Sequence, residues 1–206
     1  EPLGALDAEF RDIMRAEIKR LHIDQHATTV YVTHDQIEAM AMGDRIVVMS
    51  DAVVQQAATP FEVYHDPANI FVARFIGSPG MNLVPARYAD GVVYVNGSQF
   101  EVDEGWREAL GGSLNSEGKV ILGFRPEAAR VHPEGKIAGT TYANDLHGGY
   151  SMLHVELSKD QIVHVRSGRE TNYQIGENLR FDLDPNMVRF FHPETEVALR
   201  KAEKHS

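Results

Sequence analysis

The chain has 206 residues, a formal net charge of −10 and no cysteine, with 43% hydrophobic and 24% charged residues. That length admits one large or two small domains with real cores, the acidic balance argues against nucleic acid as a partner, and the absence of cysteine excludes disulfides, thiol catalysis and zinc ribbons. No stretch approaches the ~20 apolar residues of a membrane-spanning helix, and no basic-then-apolar leader opens the chain.

Asp7 is placed to cap a helix, because Phe10, Ile13, Met14, Ile18 and Leu21 then recur at helical spacing. This predicts an amphipathic helix with Arg11, Arg15, Lys19 and Arg20 left to solvent. After the polar break at Asp24-Gln25-His26, the β-branched run 28–33 has the length and type of a buried strand, ending at His34. Asp35 is placed to cap a short helix bearing Ile37, Met40 and Met42 and closed by Gly43. Residues 45–49 read as another strand, joined across a tight turn to 53–56; Ala52 stands in that turn where Gly would accept a positive φ, so strain or a changed turn type is expected. Thr59-Pro60 offers an N-cap followed by Pro at the first helical position, and Ile70, Phe71, Val72, Phe75 and Ile76 continue helically to Gly77. The rhythm of strand, helix, strand and hairpin predicts an α/β fragment over 1–78.

Beyond Ser78-Pro79-Gly80 the period changes to two. Residues 92–95 and 99–102 flank Asn96-Gly97-Ser98 as a hairpin. Short strands follow over 119–124, 135–142, 151–157, 161–165, 178–183 and 187–191, separated by Gly, Pro, Asn and Asp, which predicts an all-β barrel over 79–206. Trp106 and the pair Phe190-Phe191 are expected in a core or interface, since no basic residues interleave with them as in a base-stacking platform.

Few residues promise chemistry. A carboxylate at the C-terminal end of a parallel strand can polarise a water for attack on a phosphate. A hydrogen-bonding side chain such as His34 can orient that water and stabilise developing charge. His22 and His26 are four apart but have no evident third ligand, so no metal site is expected. Asp182 and Asp184 are expected to face solvent. No G-x-x-x-x-G-K-[ST] run occurs: Gly118-Lys119 is followed by Val120 and Gly135-Lys136 by Ile137.

Glu1-Pro2-Leu3-Gly4-Ala5-Leu6-Asp7 resembles the end of the Walker B motif and the D-loop of ATP-binding cassette (ABC) transporter ATPases, and Val32-Thr33-His34-Asp35 resembles their switch-histidine loop. Thr59-Pro60-Phe61-Glu62-Val63-Tyr64 with Asp66-Pro67-Ala68-Asn69, Phe75-Ile76-Gly77-Ser78-Pro79 with Met81-Asn82, Leu122-Gly123-Phe124-Arg125-Pro126-Glu127, and Phe191-His192-Pro193-Glu194-Thr195 are similar to the carbohydrate-importer branch. Gly4 departs from the usual D-loop Ser, and Ala58 stands for a usual Gly. The resemblance implies catalytic roles for Glu1 and His34, a nucleotide-binding and dimer-interface role for Asp7, and an OB-like TOBE regulatory or dimerisation domain over 79–206. It implies a parent protein that hydrolyses Mg-ATP as a homodimer on the cytoplasmic face of the membrane. Its partners would be two transmembrane permease subunits and, indirectly, an extracytoplasmic sugar-binding protein. Because the chain begins on Glu and lacks both the phosphate-binding loop and LSGGQ, it is expected to be a C-terminal fragment that holds no cofactor and hydrolyses no ATP by itself. An oxyanion- or polyamine-importer subunit, and a purely regulatory module, are the alternatives.

Overall fold

The computed structural model describes residues 3–4, 6–114 and 117–202. The chain divides into two compact units, Glu1–Asp66 and Pro67–Ser206. Residues 67–78, which the sequence pattern groups with the first segment, thus pack within the second unit.

In the first unit, Leu6 N–H donates to Leu3 O and closes a turn that delivers Asp7 to the start of α1 (Ala8–Gln25). The Asp7 carboxylate accepts from Phe10 N at 2.9 Å, satisfying one of the amide donors that every helix start leaves unpaired. The helix ends at His26, whose left-handed backbone (φ 49°) lets its N–H reach Ile23 O. Then α2 (Gln36–Met42) runs alongside α1 in the same direction, since Asp35 meets Arg11 while Ala41 O accepts from Lys19 Nζ.

Two expectations fail here for one reason. The run 28–33 shares no ladder, with Val30 87% and Val32 73% exposed. A strand exists only through the neighbours that pair with it, and the described residues of this unit provide none. Likewise Phe10, Ile13 and Leu21 lie exposed on α1, whereas Arg11, Arg15 and Lys19, expected in solvent, are half-buried on the side facing α2. With no sheet to cover it, the apolar face stays open. The α/β sheet expected for 1–78 is therefore not formed among the described residues. The one sheet among the unit's described residues is the antiparallel hairpin of β1 (Ile46–Ser50) and β2 (Val53–Ala58), with Asp51 and Ala52 as a two-residue turn. After it comes α3 (Pro60–His65), opened by a capping box in which Thr59 and Glu62 bond each other's backbone N–H.

The second unit begins with α4 (Ile70–Phe75) and is otherwise mostly β: β3 (Asn82–Ala89), β4 (Val92–Val95) and β5 (Ser98–Glu101), then α5 (Glu104–Ser113) and β6 (Lys119–Phe124). A single 3-10 turn, Pro126–Ala128, carries the chain to β7 (Ala129–Val131). The rest is β8 (Ile137–Leu146), β9 (Tyr150–Ser158), β10 (Gln161–Gly168), β11 (Asn178–Leu183), β12 (Val188–Phe191) and β13 (Ala198–Leu199). One sheet has the order β10-β9-β8-β11-β7 and the other β13-β12-β6-β3-β4-β5. Their inner faces share one core, with Leu122, Phe124 and Phe190 from the second sheet against Leu153, Val163 and Phe181 from the first. Trp106 on α5 packs edge-on against Phe190, with ring centroids 4.9 Å apart.

The two sheets are joined across a seam where side chains replace the main-chain ladder. Asn82 on β3 donates from Nδ2 to His164 O at 2.8 Å and accepts at Oδ1 from His164 N at 2.7 Å, engaging both backbone groups of one residue on the edge strand β10. Gln161 Nε2 adds a bond to Leu83 O at 3.3 Å. The barrel is nearly closed by these contacts.

Candidate functional site

The loop carrying His34 is short, and both its flanks are fixed. Before it, the Thr33 hydroxyl donates to Glu38 Oε2 at 2.7 Å and the Tyr31 hydroxyl donates to the same oxygen at 3.0 Å. Glu38 itself is only 3% exposed, so its carboxylate depends on these donors in place of water. Burial, reinforced by the bond to Glu38, pushes the Tyr31 phenol up to about 12. After it, Asp35 N–H donates to Thr33 Oγ1 at 3.0 Å, and the Asp35 carboxylate accepts from Ile37 N and Glu38 N to cap α2. The other Asp35 oxygen lies 3.7 Å from Arg11 Nη1, and Arg11 Nη2 donates to Leu6 O at 3.0 Å. His34 stands exposed between these anchored neighbours.

Asp7 is brought near this loop only through Leu6 and Arg11, and its carboxylate is engaged as a helix cap. Glu1 lies outside the described residues. His22 bonds Thr29 Oγ1 through Nδ1 and pairs with Asp44, while His26 ends α1. Among the described residues, no group of three or more His, Asp or Glu is arranged to hold a metal ion. Asp182, expected in solvent, instead accepts from Lys136 N at 2.8 Å and faces His132 Nε2 at 2.7 Å. Burial alone would raise its carboxyl, but these two partners outweigh that and hold it below the usual value. Asp184 pairs with Arg130 at 3.6 Å.

In the second unit, sequence segments far apart converge on α4. Arg125, 2% exposed, donates from Nη1 to Ala73 O at 3.3 Å and also to Ile76 O, so a buried guanidinium satisfies carbonyls at the end of the helix. At the other end, Asn69 Oδ1 caps through Val72 N, Ile70 N donates to Glu196 O, and Ala198 N donates to Ala68 O. His192 Nδ1 accepts from Glu194 N and Thr195 N, both at 3.2 Å, and so shapes the turn that presents residues 196–198. Ile70, Ala73, Met81 and Phe191 form the apolar contact beneath. A separate cluster that sequence reading missed spans three strands: Asp145 on β8 meets His154 Nε2 on β9 at 2.9 Å, and the His154 ring meets His164 on β10 at 4.7 Å between centroids. Burial, with the neighbouring His154, holds the His164 imidazole below its ordinary value, against a smaller opposing pull from Asp145.

The family model for the MalK OB fold domain matches residues 77–129. This stretch is similar to the MalK OB fold domain. Across the whole chain the relatives are ABC transporter ATP-binding proteins. The uncharacterized ATP-binding protein YcjV of Escherichia coli O157:H7 is 40% identical over 97% of this chain and 56% of its own length. The oligosaccharides import ATP-binding protein MsmX of Bacillus subtilis is 39% identical over 97% of this chain and 56% of its own length. The sn-glycerol-3-phosphate import ATP-binding protein UgpC of a Ruegeria species is 40% identical over 95% of this chain and 53% of its own length. The chain thus spans about half the length of the curated relatives it matches. Among solved structures, the cytoplasmic molybdate-binding protein ModG shares 9% identity at a TM-score of 0.41 and covers 54% of this chain.

The MalK-type stretch starts at Gly77, immediately after α4, and reaches Ala129 at the start of β7, so it contains the Arg125 corner where the chain passes from one sheet to the other. The partners of that arginine on α4, and the 191–198 turn, lie outside it in sequence but within the same compact unit.

Proposed function

We propose that this chain is the C-terminal portion of the ATP-hydrolysing subunit of an ABC importer for sugars, with Glu1 and His34 as catalytic positions and Asp7 at the nucleotide-bearing dimer interface. The observation that carries this reading is identity of about 40%, spread over both units, to import ATP-binding proteins. The exposed His34 between two anchored neighbours supports a role as a hydrogen-bonding wall of a phosphate site. The described residues provide no phosphate cradle and no Mg²⁺-binding hydroxyl in a Gly-rich loop, so holding Mg-ATP requires a loop from outside these 206 residues. The 206-residue chain alone neither binds nor hydrolyses ATP appreciably.

In this reading residues 1–78 complete the ATPase domain and 79–206 form the OB-like regulatory or dimerisation domain. The intact subunit works as a homodimer on the cytoplasmic side of two permease subunits, fed by an extracytoplasmic sugar-binding protein. The test is steady-state ATPase activity of an intact subunit carrying this chain. His34→Ala is expected to lower kcat by about 100-fold, whereas the 206-residue chain is silent. Turnover by the 206-residue chain that His34→Ala abolishes would overturn the claim that the chain is inactive alone, and an intact subunit indifferent to His34→Ala would overturn the catalytic assignment.

A further inference from the structure

Fixing a loop histidine requires that both its neighbours be held, and here the two sides are held by different devices. On the N-terminal side the clamp is one buried carboxylate oxygen receiving two hydroxyl donors, Thr33 at 2.7 Å and Tyr31 at 3.0 Å. On the C-terminal side it is Asp35, held to its own helix by Ile37 N and Glu38 N and facing the Arg11 guanidinium. The same guanidinium binds Leu6 O, one residue before Asp7. Thr33 closes the circuit, because its hydroxyl oxygen accepts from Asp35 N while its proton goes to Glu38.

We propose that Glu38 is the positioning residue of the His34 loop, and that Arg11, bridging Leu6 O and Asp35, registers that loop to the turn carrying Asp7. The proposal rests on the reading of His34 given above only for its consequence in turnover; the positioning itself is a property of this chain. Glu38 acts as an acceptor whose place in the fold is fixed by burial. A side chain with the same oxygen and no charge should therefore serve, and one of similar bulk without the oxygen should not. Without the acceptor, two half-buried hydroxyls lose their partner and the stretch 31–35 is released, since it has no sheet ladder of its own to hold it.

Backbone ¹⁵N relaxation at residues 33–35 and the line width of the His34 imidazole decide the matter in the 206-residue chain, with Glu38→Gln and Glu38→Leu compared against wild type and the melting temperature recorded for each. Glu38→Gln is expected to keep the loop ordered, and Glu38→Leu to free 33–35 while the signals of α1 stay put. Thr33→Val and Tyr31→Phe each remove one donor at smaller cost to the fold, and partial release in both serves if Glu38→Leu does not fold. A loop left rigid in these donor variants, or freed equally by Glu38→Gln, overturns the proposal. In the intact subunit, Glu38→Leu should lower kcat by about 10- to 100-fold at unchanged KM for ATP, with recovery in Glu38→Gln. A wild-type subunit that hydrolyses nothing would sink the ATPase reading and leave the positioning claim to stand or fall on the relaxation data.

Discussion

Single residues carry unequal weight in this chain, and the heaviest are those whose polar groups are buried. Arg125 replaces water for two main-chain carbonyls of the α4 segment, and its charge is out of reach of solvent. Truncation to Ala takes the guanidinium from Ile76 O and leaves Ala73 O with Met81 N–H alone, so Arg125→Ala should destabilise the second unit by about 3 kcal/mol in urea unfolding. Lys, with a strongly hydrated ammonium on a flexible stem, should recover only part of it. Ala52 is the opposite case, a small residue in the wrong backbone region. Its φ of 62°, next to Asp51 at 50°, is the left-handed pair that a two-residue hairpin turn demands. This is the strain the sequence predicts at that position. Ala52→Gly should stabilise the hairpin by about 1 kcal/mol, read from the denaturation midpoint.

At the scale of elements, sequence legibility followed how local each element's cause is. The strands β6 and β11 were readable to the residue, because a short apolar run in the one, alternation in the other and flanking turn residues define them without help. The helix α5 was not read, because Gly105, Gly111 and Gly112 dilute a pattern that reduces to Trp106 and Leu110 one turn apart. The strand β3 was hidden by Pro85, which is tolerated because it precedes the stretch Arg87–Ala89 that pairs with β4. The run 28–33 misled in the other direction: its composition is that of a strand, but pairing is a property of neighbours. Of the candidate site, Asp35 as a cap was legible from spacing, while the partnerships of Glu38 and Arg125 arise only from tertiary approach and left no local signal.

The strand pair β9 and β10 carries its own pH dependence. His164 sits below its ordinary value when folded, so the folded state resists protonation there; its contribution is present above about pH 6.5 and is lost as the pH falls through the folded value. The facing titratable groups are His154 and Asp145, the latter opposing the effect. Thermal melts between pH 7.5 and 5 should show a loss of stability that His164→Gln reduces. A slope unchanged in the variant would assign the effect elsewhere.

For the molecule as a whole, the contrast is between a unit whose apolar surfaces are largely spent and one whose surfaces are not. The second unit has a continuous core shared by two sheets, with Leu122, Leu153, Phe181 and Phe190 fully buried. The first leaves Phe10, Ile13, Val30, Val32, Met49 and Val54 exposed. Residues 67–206 expressed alone should therefore fold cooperatively, and their amide spectrum should overlay that of the same residues in the full chain. A piece that begins at 79 lacks α4 and the carbonyls that Arg125 binds, so it should unfold at lower denaturant concentration than the piece beginning at 67.

The seam made by Asn82 has a mechanical meaning. Along a strand ladder, force and breathing are shared by a row of parallel bonds, but at this seam one amide side chain holds both backbone groups of His164, aided by Gln161. Opening there needs the release of two side-chain amides, not the unzipping of a strand. The barrel should therefore part along the β3–β10 line before any ladder yields, and the amides of the outer edge of β10 should exchange with deuterium as a group whose common rate is set by residue 82.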